Sequence, residues 1–396
     1  MPIITFPYLV RVLSIEKFGL IAFAIAFIQY FVVFVDYGFN LSATREISIN
    51  RYDYKRISQI FWNVFFTKLI LVLLSFVVLS CILVFVPKFK SESYLYLICF
   101  LAVLGNFLFP IWFFQGVEKI KVVAVFNLIS KTIFTVAVFI FVKNENDYLN
   151  AAVLQTGGIL FAGGGAFIYA VLKYPIKFRL PRLVDIVKEF KEGWSLFVTI
   201  MSSALVNSSN IFILGLYADN KIVGLFAIAD KIVRVFINMC GPISSAIFPR
   251  VSKLFSESRQ KAVTFIKKIL IFGSLIFIFL CILLVLSADL LVSLITGENI
   301  KTIAFLIRIM AVVPLTIFLD NLYGTQVLIN IGRESQFMKA VLIPGIISII
   351  ASFVFVPIWK YYATAIIFVI SEILILIMMI YYARKNNIYL ICNKTI

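Results

Sequence analysis

IFWNVFFTKLILVLLSFVVLSCILVFV, residues 60–86, decides the fold. The stretch holds a single charged side chain, Lys68. As a helix rising 1.5 Å per residue it is about 40 Å long, against roughly 30 Å for the hydrocarbon core of a bilayer. Apolar and polar positions do not alternate, as they would in a strand of a membrane barrel. The stretch reads as a transmembrane helix. Similar runs recur at 18–38, 94–116, 122–142, 148–172, 193–217, 224–249, 269–296, 302–330, 340–358 and 361–383. Residues 1–10 read as the tail of one more. The expectation is an all-α polytopic membrane protein of about twelve spans, the first incomplete as numbered. The opening MPIITFPYLVRVL lacks the basic region and small-residue site of a cleavable signal. Tyr and Trp cluster at span ends, among them Trp62, Tyr94, Trp194, Trp359 and Tyr381, as interfacial anchors do.

The 36 Lys and Arg residues exceed the 19 Asp and Glu, for a formal charge of +17. Sorted by loop, 23 of the basic residues fall in 39–59, 117–121, 173–192, 250–268, 331–339 and 384–396, and eight fall on the opposite side. That asymmetry places the basic loops and the C-terminus in the cytoplasm. Much of the net charge is then topology and attraction to anionic lipid heads, so nucleic acid is not a required partner. The absence of histidine excludes His-ligated zinc and His proton relays. The five cysteines form no CxxC pair, and four of them lie in apolar spans.

The two halves of the chain look related. FGLIAFA at 18–24 matches VGLFAIA at 223–229, and LFPIWFF at 108–114 resembles VVPLTIF at 312–318. Both pairs fit one offset of roughly half the chain, as a duplicated six-helix unit requires. This divides the chain into lobes at 1–172 and 193–383, a basic linker at 173–192 and a tail at 384–396. Within the linker, LVDIVKEFKEG reads as an amphipathic helix lying on the inner membrane surface. Under the same offset the first helix lacks about a dozen residues, which suggests a start upstream of Met1.

Five basic residues remain inside apolar spans: Lys68, Lys131, Lys231, Arg234 and Arg308. Each costs roughly 2.5–3.5 kcal/mol at the bilayer centre on insertion scales. An excess of one sign points to a cationic interior that receives an anionic substrate. Lys68 and Lys131 each have a second reading as a snorkelling or locally paired side chain, and Arg308 as an interfacial one. Asp230 and Arg234, four residues apart on one helix, are placed to pair. Asp36 lies near the inner end of its span, where capping or pairing with loop arginines is the simpler account. Glu372, Asp320 and Asp230 are candidates for proton or sodium coupling, with pairing to a buried Lys as the alternative for the first two. Asn207, Asn210 and Gln115 could contact a glycan, although amides also join helices in lipid. TGGILFAGGGA at 156–166 lacks the Lys-Ser/Thr of a phosphate loop and reads as close helix packing. Walker, GxSxG and HExxH patterns are absent, and nothing in the sequence calls for a catalytic residue, a metal or an organic cofactor.

Four strings, TFPYLVRVLSIEKFGLIAFA at 5–24, DYGFNLSATREIS at 36–48, WFFQGVEKIK at 112–121 and NSSNIFILGLY at 207–217, resemble the Wzx (RfbX-like) O-antigen flippases. Those belong to the polysaccharide-transporter branch of the MOP (MATE-like) exporter superfamily. DYGFNLSATRE is the most specific of the strings. The resemblance implies two pseudo-symmetric six-helix lobes in the bacterial inner membrane. It also implies transfer of an undecaprenyl-diphosphate-linked oligosaccharide from the inner to the outer leaflet, with membrane lipids, an O-antigen polymerase and a chain-length regulator as partners. The competing reading is a cation-coupled multidrug exporter of the MATE branch, which would favour acidic cavities. A membrane-bound polymerase would carry a long periplasmic loop, and the loops on that side are short.

Overall fold

The structure, a computed structural model, describes residues 2–390, without the side chains of residues 2, 3, 192, 195, 199 and 202–208. It is helical throughout, with no strand among the described residues. The chain divides into two units at Ser208. The first contains α1 (Pro2–Asp36), α2 (Phe39–Ile49), α3 (Tyr54–Phe85), α4 (Pro87–Lys90), α5 (Ser93–Cys99), α6 (Leu101–Leu108), α7 (Ile111–Gly116), α8 (Ile120–Phe141) and α9 (Tyr148–Lys173). The boundary falls within α10 (Leu183–Tyr217). The second contains α11 (Asn220–Ile237), α12 (Cys240–Glu257), α13 (Arg259–Leu286), α14 (Ala288–Thr296), α15 (Lys301–Met310), α16 (Val313–Asn321), a π-helix at Leu322–Ile329 and α17 (Glu334–Lys385).

Eight helical stretches are long and apolar enough to cross a bilayer. Two are too long to do so once. Ile4–Ile49 spans 46 residues and Glu334–Lys385 spans 52. At 1.5 Å per residue the latter is about 78 Å, more than twice the hydrocarbon core. Each contains a residue with positive φ, Ser14 at 64° and Lys360 at 49°. Helical dihedrals fail there, so Glu334–Lys385 becomes two helices, and Ile4–Ile49, broken again at Tyr37–Gly38, becomes three. Ser14 thus separates the short first helix anticipated from the sequence from the full helix after it.

Helix boundaries repeat at the offset seen in the sequence. α3 starts at Tyr54 and α13 at Arg259, the position to which FGLIAFA-to-VGLFAIA spacing carries it. Pro110 caps the start of α7 and Pro314 lies in the first turn of α16, a place where a missing N–H costs nothing. The register is then lost: α8 starts at Ile120, whereas α17 starts only at Glu334, well past the matching position. The π-helix of the second unit, Leu322–Ile329, accounts for most of the slip.

Inside the first unit the glycine-rich patch brings α6 and α9 into backbone contact. A Cβ on Gly163 would lie 2.1 Å from the Gly105 carbonyl oxygen, and one on Gly105 would lie 2.6 Å from the Leu160 nitrogen. The Ser130 hydroxyl donates to the Gly158 carbonyl from α8. The patch is a packing surface, as its sequence indicates.

Two local expectations are corrected. LVDIVKEFKEG is not a separate surface helix; it forms the first turns of the 35-residue α10. Gly193 is the only weak helix former at the supposed joint, and one glycine costs about 1 kcal/mol without breaking a helix. Tyr94, Trp194, Trp359 and Tyr381 are exposed at span ends as anticipated, but Trp62 is buried among Phe65, Phe167 and Phe178.

Candidate functional site

Two charged clusters lie within the apolar spans, one in each unit. The first is built by DYGFN at 36–40. Tyr37 (φ 47°) and Gly38 (φ 83°) are successive left-handed residues that end α1 and start α2. At Gly38 a Cβ would lie 2.8 Å from the Leu196 Cβ, so both the conformation and the space select glycine. The turn aims Asp36 at α3. Its Oδ1 accepts from Lys68 Nζ at 2.8 Å and its Oδ2 from Asn40 Nδ2 at 2.7 Å. Lys68 is 2% exposed. The Tyr37 ring stacks on Phe197 at 4.5 Å, and its hydroxyl donates to the Phe190 carbonyl at 3.3 Å.

The same segment docks on the start of WFFQGVEKIK. Thr44 Oγ1 donates to the Asn40 carbonyl at 2.6 Å and lies 3.1 Å from the Trp112 carbonyl and 3.2 Å from Gln115 Oε1. Gly116 packs on Ile47, and Arg51 pairs with Glu118. Two of the most distinctive strings in the sequence are therefore one structural unit. Lys68 is the buried half of an ion pair, which agrees with its locally paired reading. Asp36 pairs with it and not with a loop arginine. Gln115, exposed at the surface of the unit, lies beside Thr44.

The second cluster joins α11, α16 and α17. Arg234 Nε donates to Asp230 Oδ2 at 2.7 Å, the anticipated i,i+4 pair. Asp230 is 4% exposed, and its Oδ1 has no partner. Lys231 is half-buried and feels the Asp230 carboxylate. The Arg234 guanidinium lies 5.9 Å from the centre of the Phe368 ring and within electrostatic reach of Glu372. Glu372 in turn interacts with Asp320, although neither Asp320 oxygen completes a well-formed hydrogen bond. Asp320 is only 9% exposed. The Asp230–Arg234 pair and the Asp320–Glu372 pair are thus linked through Arg234 inside one unit, with Lys231 beside Asp230. The sequence identified all five residues; only the fold shows that Asp320 faces Glu372 and not a lysine.

The remaining candidates are scattered. Lys131 is exposed midway along α8, beside buried Ser130, with no ion pair among the described residues. Arg308 pairs with Asp289 of α14, outside both clusters. Asn210 is buried on α10, whereas the side chain of Asn207 lies outside the described residues. Sequence reasoning missed Asp289, because it sits on a different helix from Arg308 and no helical period connects them. It also missed Gln326, which donates from the π-helix to Ser244 at 3.0 Å. No group of three or more potential metal ligands converges among the described residues.

A family model described as "Polysaccharide biosynthesis protein" matches residues 1–255. Among curated proteins, the chain is 31% identical over 392 residues to a protein of Escherichia coli (strain K12) named "Putative O-antigen transporter", covering 99% of this chain and 94% of that one. A protein of the same name from Shigella dysenteriae is 29% identical over 96% of this chain and 94% of its own length. Among solved structures, an inward-facing multidrug resistance MATE family transporter of the MOP superfamily has a TM-score of 0.73 at 13% identity, covering 97% of each chain. The lipid II flippase MurJ, in an inward closed conformation, has a TM-score of 0.73 at 12% identity, covering 93% of this chain and 81% of that one. At such identities these two likenesses concern the fold, that of MOP-type membrane transporters.

Proposed function

The chain belongs to the polysaccharide biosynthesis protein family, and from that premise we propose that it is a flippase for undecaprenyl-diphosphate-linked O-antigen or similar repeat units. It carries them from the cytoplasmic to the periplasmic leaflet of the inner membrane by alternating access. The observation that carries this reading is the near-full-length likeness to two proteins named for O-antigen transport. The basic residues of the apolar spans fit it. A diphosphate crossing the bilayer loses its hydration, and Lys or Arg donors replace the lost water. Lys131, Lys231 and Arg234 are assigned to that role. Asn207, Asn210 and Gln115 are assigned to the glycan. Six-helix lobes on either side of the 173–192 segment, and a cytoplasmic C-terminus, complete the proposal. The polymerase and chain-length regulator would act on the product outside.

The facing carboxyls of Asp320 and Glu372 support ion coupling. Two carboxylates in a site of low dielectric repel one another unless a proton or a cation lies between them. With Asp230, Lys231 and Arg234 beside them, one added positive charge brings the five groups to neutrality. A proton or a sodium ion meets that requirement, and Arg234 links the pair to the cargo site through Glu372.

The test is transport of a fluorescent undecaprenyl-diphosphate oligosaccharide in vesicles containing the purified full chain, under imposed proton or sodium gradients. The reading requires protein-dependent movement to the opposite leaflet. Failure to move any lipid-linked oligosaccharide, together with unchanged surface polysaccharide in a host deleted for the gene and lacking a second flippase, rejects it. The uncompensated carboxyl pair also suits a cation-coupled multidrug exporter. Drug efflux without flipping in the same vesicles would establish that alternative.

A further inference from the structure

The second unit has a groove of 340 Å³ between α13 and the α15–α16 segment. Its walls are apolar, with Ile278, Ile282 and Val285 on one side and Ala311, Val312 and Leu315 on the other. One lining residue is charged, Arg308. Arg308 reaches Asp289, just past Leu286, and Cys281 lies against Leu315, so Arg308 and Leu286 mark one end of the groove and Ile278 and Leu315 the other. From Ile278 to Leu286 the groove wall has an axial length of about 12 Å. α13 rises from the basic 259–268 segment, so the Arg308 end lies on the side away from the basic loops.

The charged end is a pair of opposite charges. Arg308 Nη2 donates to Asp289 Oδ2. Both side chains stay accessible, 40% exposed for Arg308 and 43% for Asp289. The guanidinium has five N–H donors, and among the described residues Asp289 is its one partner. The pair is neutral overall. A single negative head would therefore meet an arginine already balanced, and a diphosphate would bring excess charge. A head that carries both signs meets each with its complement: phosphate on the open edge of Arg308, ammonium on Asp289.

We propose that this groove is a binding site for a zwitterionic phospholipid with a primary-amine head, of the phosphatidylethanolamine type. The phosphodiester lies on Arg308 in the planar geometry guanidinium favours. The ammonium donates to Asp289, and one acyl chain descends between α13 and α16. The site is separate from the Asp230–Arg234–Glu372 cluster and holds a resident lipid of the outer leaflet.

The experiment is native mass spectrometry of the full chain in detergent, loaded with an equimolar, chain-matched mixture of phosphatidylethanolamine and phosphatidylglycerol. Arg308→Gln should remove about one bound phospholipid per chain, chiefly phosphatidylethanolamine. Asp289→Asn should keep that lipid but shift its ratio toward phosphatidylglycerol by about fivefold, the scale of one partly exposed ion pair. Ala311→Phe, which fills the groove, should remove the lipid with both charges intact. The proposal is overturned if Asp289→Asn leaves the ratio unchanged. Loss of phosphatidylglycerol instead of phosphatidylethanolamine in Arg308→Gln overturns it equally, as does full lipid retention in Ala311→Phe.

Discussion

Breaking the Asp36–Lys68 pair from its two ends should give unequal results. At 2.8 Å the attraction is about 6 kcal/mol at an effective dielectric of 20, set against several kcal/mol per ion for leaving water. Removing one partner exposes the other's uncompensated desolvation. In Asp36→Asn the orphan is the Lys68 ammonium, 2% exposed and with little access to water. That change should cost about 3–5 kcal/mol. In Lys68→Met the orphan is Asp36, whose side chain is 24% exposed and keeps its hydrogen bond from Asn40. Its cost should be about 1–3 kcal/mol. The double variant Asp36→Asn/Lys68→Met removes both charges and should recover most of the loss. Thermal retention of the monodisperse peak of the detergent-purified chain measures the three stabilities, and surface polysaccharide in a deletion host measures transport. Recovered stability together with recovered transport is expected, because Lys68 is 2% exposed and paired with Asp36. A double variant that is stable but cannot transport would refute the structural assignment and return Lys68 to the cargo site. Equal losses in the two single variants would refute the burial argument.

Gly38→Ala should destabilise the chain by about 1–3 kcal/mol in the same thermal assay, since it combines a left-handed φ of 83° with a Cβ 2.8 Å from that of Leu196. Lys131→Glu and Lys231→Glu should each lower flipping in vesicles severalfold while protein levels hold; normal transport in both would remove the cationic-site model. Asp147 accepts from the Lys143 and Asn144 backbone N–H groups at 3.0 Å, and these bonds lower its pKa in the folded chain. Its contribution is complete above the ordinary Asp value of about 3.9 and fades as pH falls through the lower folded value. Asp147→Asn should therefore flatten the acid limb of thermal stability and leave the neutral plateau little changed in slope. A reporter fused after Lys385 should be active only in its cytoplasmic form; activity of a periplasmic reporter there would invert the topology.

The membrane class and the long apolar helices were legible from residues alone. A bilayer imposes one length and one polarity on every crossing segment, and a linear sequence displays both. The Asp230–Arg234 pair was legible for the same kind of reason, because one helical turn fixes its geometry. The partners of Lys68, Arg308 and Asp320 were not. Asp36, Asp289 and Glu372 each lie on a different helix from the residue they meet, and no local period relates them. The tertiary structure decided that Lys68 is sealed in an ion pair with Asp36, that Arg308 pairs with Asp289 beside an apolar groove, and that Arg234 holds Asp230. A charge inside a span advertises its energetic cost in the sequence; which neighbour offsets that cost is set by packing between helices.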